Sequence, residues 1–148
     1  MPAFSHTYET TVAAPPEVVH ALVDDFHEWV KWSPWEGLDP DLQRTYDGTG
    51  VGARYAWSGN NKAGQGSMTL TSITPERVTV DLEFLKPFKA RNEVVFDITR
   101  AGSGTHVAWT MRGERNAAFA MMGRLFFDKA IGKDFTKGLV SLKAAAEA

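Results

Sequence analysis

The sequence contains no cysteine, which excludes disulfide bonds, thiolate ligands for a metal and a cysteine nucleophile together. The absence of cysteine is typical of proteins in a reducing compartment, and we expect a cytoplasmic protein. Residues 1–12 show no basic stretch followed by an apolar run, which is the pattern of a signal peptide. No segment approaches the ~20 apolar residues of a membrane-spanning helix, so membrane insertion is not expected.

The chain also lacks an excess of charge of either sign. With 16 basic and 18 acidic residues its net charge is −2, which gives no field to attract a polyanion, so nucleic acid is not an expected partner. The 4 histidines show none of the close spacings of a metal site, and neither a metal nor another cofactor is predicted. With 148 residues and 43% hydrophobic composition, residues 1–148 are expected to form a single domain.

The N-terminal part of the chain predicts one strand and two short helices. Phe4–Val12 alternates between two sets of residues with a period of two, as a strand with one buried face does. A helix opened by Pro16 carries apolar residues up to Val23 at helical spacing. A second short helix over Phe26–Val30 ends before Pro34, since the residue preceding proline disfavours helical conformation.

The central part of the chain alternates strand-like segments with turn residues, a pattern that predicts an antiparallel meander. Six further strands are expected near Asp41–Tyr46, Ala53–Ser58, Gly66–Ser72, Arg77–Phe84, Ala90–Thr99 and His106–Arg112. Beyond Asn116, a suitable N-cap, no proline occurs. Because Phe135, Leu139, Leu142 and Ala146 repeat at the spacing of one helix face, we predict one long C-terminal helix that lies against an apolar surface.

Alternation assigns the strand residues to an apolar face and a charged face. The apolar face can simply pack against the long helix. A strongly curved sheet, however, cannot contact one helix along its whole concave face, and aromatic and methionine side chains suit an adaptable cavity wall. The candidate ligand-binding residues are Tyr55, Trp57, Met68, Leu70, Leu82, Phe84, Asn92, Phe96, Trp109 and Met111 on the sheet, with Phe119, Met122 and Phe126 of the helix at the cavity mouth.

Asn92 is the main polar candidate, because an amide between apolar positions must find a hydrogen-bond partner. Either a ligand or a neighbouring protein group would satisfy it. If the protein is an enzyme, the inward-facing titratable residues His6, Tyr8 and Tyr55 are the candidates for proton transfer, without a metal.

Several segments give the chain a resemblance to the polyketide cyclase/dehydrase-type branch of the START-like (SRPBCC) superfamily, over essentially its whole length. These segments are Ala14–Val19, Trp32–Trp35, Val51–Asn60, Phe84–Phe88, Val107–Met111 and Gly132–Phe135. The resemblance implies an α+β helix-grip fold, in which a curved seven-stranded antiparallel sheet wraps around a long C-terminal helix, with two short helices after the first strand. It also implies a small hydrophobic molecule as partner.

Three functions are open, because one fold carries several activities in this superfamily. Binding or carriage of a lipid-like, aromatic or polyketide-like molecule between sheet and helix is favoured. A cyclase or dehydrase is the first alternative. A protein-interaction role such as chaperone activation is the second, and exposed aromatic rings at Trp29, Trp32 and Trp35 would support it. A homodimer is also compatible with the sequence.

Overall fold

Strands dominate the computed structural model, which describes residues 3–33, 40–60, 64–86, 90–114 and 124–148. The strands are β1 (Ala3–Val12), β2 (Gln43–Asp47), β3 (Arg54–Ser58), β4 (Gln65–Thr74), β5 (Arg77–Lys86), β6 (Ala90–Ala101) and β7 (Gly104–Glu114). The helices are α1 (Pro16–Val23), the 3₁₀-helix α2 (Phe26–Lys31) and α3 (Arg124–Glu147). The predicted arrangement of strands and helices is confirmed, while the expected N-cap at Asn116 lies outside the described residues.

The strands form one antiparallel sheet in the order β1-β7-β6-β5-β4-β3-β2. The later hairpin strands are longer than predicted, because pairing continues up to the turn residues: Thr74 pairs with Arg77, and Ala101 with Gly104. Register shifts occur twice between β4 and β5. Irregularities of this kind bend a strand and increase its twist, which helps the sheet curve.

The two faces of the sheet differ as alternation predicts. The outer face carries cross-strand ion pairs, in which Arg91, Arg112 and Arg77 reach the carboxylates of Asp81, Glu93 and Asp97 at 2.6 to 2.7 Å. Exposed pairs of this type contribute about 0 to 1 kcal/mol each. The outer face is therefore a solvated surface, and the inward face, packed under the helices, supplies the hydrophobic core.

The centre of the core is a group of aromatic rings. Phe135 of α3 stacks on Trp109 of β7 with ring centroids 4.1 Å apart, and Phe96 of β6 lies 5.1 Å from the same indole. Trp32 meets Trp109 edge-on at 5.5 Å. Offset and edge-on ring pairs of this kind add about 0.5 to 1.5 kcal/mol each beyond their burial. These contacts hold α3 and the end of α2 onto the sheet.

Two tryptophans join α2 to the end of α1. The indole N–H of Trp29 donates to the Val23 carbonyl at 2.8 Å, and that of Trp32 donates to the Leu22 carbonyl at 2.7 Å. Carbonyls in the last turn of a helix lack partners within the helix, so both bonds satisfy buried groups. Trp29 and Trp32 are 3% and 1% exposed. The exposed rings that would support a protein-interaction role are therefore not present at these two residues, while Trp35 lies outside the described residues.

The C-terminal end of α3 is tied to the edge strand β1 by a pair of charged residues. Lys143 donates to the Thr11 carbonyl at 2.9 Å and to the Glu147 carboxylate at 2.6 Å. The same carboxylate accepts from the Ala13 backbone N–H at 2.7 Å. That backbone hydrogen bond, together with the bond from Lys143, lowers the pKa of Glu147 below its ordinary value of 4.5.

Glu147→Gln is expected to lower the melting temperature at neutral pH, because a neutral amide cannot take charge-assisted bonds from Lys143 and the Ala13 N–H. A carboxyl whose folded-state pKa is lowered stabilises the protein above its unfolded-state pKa. The advantage of the wild type should thus be complete above about 4.5 and disappear as the pH falls through the lower folded-state value. Thermal unfolding over a pH series measures both effects.

Glu17→Gln is the matched control, since the Glu17 carboxylate lies 3.7 Å from Arg100 and is mostly exposed. It should leave the melting temperature unchanged. Equal shifts in the two variants, or a Glu147→Gln difference that persists in acid, would contradict the role assigned to Glu147.

Candidate functional site

The strand register sorts the inward residues into rows that run across the sheet. One row contains Tyr8, Trp109 and Phe96, and we call it the Trp109 row. Trp109 and Phe96 are fully buried, and Phe135 and Trp32 pack directly against the Trp109 ring. Two predicted ligand-binding residues, Phe96 and Trp109, thus make core contacts, and their contact with a ligand stays a prediction.

A second row, which we call the Asn92 row, runs through Tyr55, Met68, Leu82, Asn92 and Gly113. All five residues are largely removed from solvent. The row between the two contains Leu70 and Met111, which are also buried. The register therefore brings most of the predicted sheet residues onto one continuous apolar surface.

Trp57 and Phe84 border the Asn92 row on the side away from the Trp109 row. Their rings meet edge to face at 6.0 Å, and both are partly buried. The Trp57 ring lies over Gly66, where an added Cβ would stand 2.7 Å from the ring edge. Because glycine leaves this space open, the indole can lie flat on the sheet.

The predicted helix residues cannot be placed in the same way. Phe119 and Met122 lie outside the described residues, and Phe126 lies on α3 with its side chain likewise outside them.

Asn92 is the polar member of its row, and its predicted inward orientation is confirmed by an exposure of 5%. Its amide occupies the space that a side chain at Gly113 would fill, because a Cβ there would overlap Asn92 Oδ1. Among the described residues, the other buried polar side chain is Thr105, whose hydroxyl donates to the Ala14 carbonyl at 2.7 Å. No hydrogen bond found within the described part of the chain involves the Asn92 amide.

Two of the three candidates for proton transfer, His6 and Tyr8, are neighbours on one face of β1, and the third, Tyr55, lies far from them. His6 on β1 is half-buried opposite Met111, and Tyr8 on the same strand meets the Phe135 ring edge-on at 5.3 Å. Tyr55 on β3 contacts Tyr46 and is separated from β1 by four strands. The sheet therefore does not place His6 and Tyr55 side by side on neighbouring strands, and their role in catalysis stays a prediction.

A carboxylate and a histidine pair just outside the Asn92 row, at the start of α2. Asp25 Oδ1 accepts from the His27 backbone N–H at 2.9 Å and lies 2.8 Å from His27 Nδ1. The His27 ring stacks on Tyr46, centroid to centroid 4.4 Å. Partial burial acts to raise the pKa of Asp25, but the two hydrogen bonds and the charge of His27 outweigh it and hold that pKa below its ordinary value.

The sequence analysis did not identify this pair. The signal for it was the Asp-X-His spacing, in which an N-cap aspartate bonds the backbone two residues on and can reach the histidine ring as well.

The outer side of α1 has a depression of about 320 Å³ that the sequence analysis also missed. It is lined by Pro16, Glu17, His20, Ala21, Asp24 and Pro75. His20 connects its walls, because Nε2 lies 2.7 Å from the Thr74 carbonyl and Nδ1 lies 3.0 Å from Asp24. Both ring nitrogens are engaged, so this histidine ties α1 to the turn between β4 and β5.

Within the residues that the structure describes, no group of three or more His, Asp or Glu side chains could hold a metal ion. No helix of the described chain is long and apolar enough to cross a membrane.

Solved structures with the same fold cover nearly the whole chain. The Aha1 dimer from Colwellia psychrerythraea has a TM-score of 0.67 at 20% identity, over 99% of this chain and 97% of that one. A protein from Rhizobium loti reaches 0.72 at 17% identity, over 97% of each chain. A protein of unknown function from Staphylococcus aureus reaches 0.72 at 15% identity, over 99% and 94%. At these identities the likeness shows the fold alone.

No protein of curated function shows detectable sequence similarity to the chain. The family model described as polyketide cyclase/dehydrase and lipid transport matches residues 3–147. Together with the sheet, its register and the C-terminal helix, this match confirms the resemblance found in the sequence: the chain belongs to the polyketide cyclase/dehydrase and lipid transport family.

Proposed function

We propose that residues 1–148 form one ligand-binding domain, which holds a neutral hydrophobic molecule against the Asn92 row. The Asn92 amide bonds a carbonyl or hydroxyl oxygen of that molecule. The observation that carries the proposal is Asn92 itself, a residue that is 5% exposed among apolar neighbours and whose amide receives no hydrogen bond from the described residues. A buried amide without a partner costs about 1 to 3 kcal/mol, and a ligand oxygen would offset that cost.

The surroundings of Asn92 favour a neutral ligand. Its neighbours in the row are Leu82 and Gly113, and the adjoining positions are apolar. Within the described residues no charged side chain is buried. A carboxylate or phosphate placed here would lose its hydration without gaining a counter-charge from these residues, which is far more costly than burying a ketone or an alcohol.

The Asn92 row is a better ligand site than the Trp109 row, because the rings in the Trp109 row are already in contact with helix residues. Phe135 covers Trp109 on one side, and Trp32 meets it edge-on. A ligand could reach Trp109 only by displacing these rings. Met68 and Met111 near Asn92, in contrast, are flexible side chains that adapt to ligands of different shape.

Binding is favoured over the two alternative functions. A cyclase needs a proton-transferring group at the ligand. Of the three predicted candidates, Tyr8 lies in the Trp109 row and His6 on the edge strand β1, which leaves Tyr55 as the one candidate within the Asn92 row. A protein-interaction role loses two of the three rings that would support it, since Trp29 and Trp32 are buried. The Colwellia structure is of a dimer, which fits the homodimer that the sequence left open.

Displacement of the neutral dye Nile red tests the proposal. Acetylnaphthalene, a neutral aromatic ketone, should displace the dye and raise the melting temperature, because a ligand that binds only the folded protein stabilises it. Naphthoate has nearly the same shape but carries a charge, and it should do neither at equal concentration. Equal displacement by both compounds, or no displacement by any neutral aromatic compound, would refute a neutral-ligand site.

Asn92→Leu should weaken acetylnaphthalene binding roughly fivefold, because one hydrogen bond contributes about 1 kcal/mol. The melting temperature of the unliganded protein should stay the same or rise, since leucine has the same branched arrangement of non-hydrogen atoms and leaves no amide unpaired. Ethylnaphthalene, which has no carbonyl, is the matched ligand and should bind the variant as well as the wild type. A marked fall in melting temperature would instead show that Asn92 serves the fold.

Gly113→Ala should lower the melting temperature, because its new Cβ would overlap Asn92 Oδ1 and approach the Arg91 carbonyl to 3.0 Å. If the overlap with the amide dominates, the same substitution in an Asn92→Ala background should cost clearly less. Thermal unfolding of the two single variants and the double variant measures this coupling. Strictly additive effects would mean that the amide does not occupy the space above Gly113.

A further inference from the structure

The Trp57 indole lies over a glycine of the next strand. Trp57 on β3 pairs with Gly66 on β4, and an added Cβ at Gly66 would stand 2.7 Å from Cη2 and 2.9 Å from Cζ2 of the indole. Both atoms belong to the six-membered ring, which therefore occupies the place that a side chain at Gly66 would take. Phe84, opposite Gly66 on β5, meets the indole edge to face at 6.0 Å. The indole is thus held across β4 by its own strand and by Phe84.

The Asn92 amide has a corresponding position at the other end of the apolar surface. It comes from β6 and occupies the space over Gly113 of β7. Three strand steps separate β7 from β4. Since neighbouring strands lie about 4.8 Å apart, the amide and the indole are about 14 Å apart along the sheet. The buried side chains of Leu82 and Met68 lie between them and form what we call the floor.

A ligand bonded to Asn92 has its longest apolar surface in the direction of Trp57. In the opposite direction the sheet ends with β1, one strand beyond β7. Toward β3 the floor continues to Tyr55, whose ring lies 6.1 Å from the Trp57 ring. Tyr55 is buried and also packs on Phe26 of α2, whereas Trp57 is partly buried. Two rings of β3 therefore close the floor, and Trp57 is the one that does not belong to the buried core.

We propose that Trp57 limits the length of the ligand whose oxygen bonds Asn92, so that the site accepts a compact neutral molecule and rejects a long-chain lipid of the same chemistry. This inference rests on the proposed function. An apolar body of up to about 14 Å fits between the amide and the indole. A longer one has to displace the indole from Gly66 or leave methylene groups in water, and methylene groups left in water add no affinity.

Methyl ketones of increasing length, from octanone to pentadecanone, measure the floor by displacement of Nile red. In the wild type each added methylene should strengthen binding about fourfold while it lies on the floor. The gain should stop once the molecule exceeds about 14 Å. In Trp57→Ala the space over Gly66 joins the floor, so binding should keep strengthening to longer ketones. Pentadecanone should bind this variant roughly tenfold more tightly than the wild type, and octanone should bind both about equally.

Two further variants make the test specific. Trp57→Phe keeps a ring against Phe84 and should move the length limit in the same direction by less, which keeps the test valid if Trp57→Ala melts at a low temperature. Leu85→Ala is the matched control, because Leu85 follows Phe84 on β5, is 40% exposed and points to the other face of the sheet. It should leave the length limit of the wild type unchanged.

A wild-type affinity that keeps rising up to pentadecanone would overturn the assignment, and so would the same length limit in the wild type and both Trp57 variants. Displacement of Nile red by acetylnaphthalene is measured in parallel. If acetylnaphthalene still displaces the dye, either result removes the length limit and leaves the binding proposal standing. If neither acetylnaphthalene nor any of the ketones displaces the dye, both proposals are refuted.

Discussion

The position of the helices on the sheet depends on the rings packed around Trp109. Phe135 reaches this indole from α3, Trp32 from the end of α2, and Phe96 from the neighbouring strand. Burying aromatic rings provides the largest apolar contribution per residue, and the geometry of ring pairs restricts how the helices can approach. The Trp29 and Trp32 indoles bury their N–H groups at little cost, because the last carbonyls of α1 accept from them. One contact region thus fixes three helices at once.

This packing also determines where a ligand can lie. Close-packed rings fill the space over the Trp109 row, so a ligand there would have to separate contacts that hold the fold together. The Asn92 row lies on the same sheet but presents leucine, methionine and a buried amide. Small residues at Gly66 and Gly113 give the Trp57 ring and the Asn92 amide the space they occupy. The fold and the candidate site therefore use different parts of one apolar face.

Alternation predicted the faces of the strands because the strand period is two and one face is buried. Asn92, Tyr55 and Met68 are inward for this reason. Alternation along one strand does not show which residue of another strand lies opposite, so the separation of the Trp109 row from the Asn92 row required the register. The sequence also could not predict that Trp29 and Trp32 are buried, since an aromatic residue in a short helix suits a core or an exposed surface equally well. The contact of His27 with Tyr46 joins distant segments and depends on the tertiary fold.

The Asn92 amide, which receives no hydrogen bond from the described residues, has an energetic consequence for the protein. Net stabilities of small domains are about 5 to 15 kcal/mol, so one unsatisfied buried group costs a substantial fraction. Leucine at this position would avoid the cost with the same branched arrangement of side-chain atoms, and the amide is therefore a poor choice for stability alone. Its presence is consistent with a role in recognition, because the free energy regained when an oxygen bonds the amide contributes to affinity. A hydrocarbon of the same shape lacks that oxygen and would bind less tightly, so the amide also provides specificity.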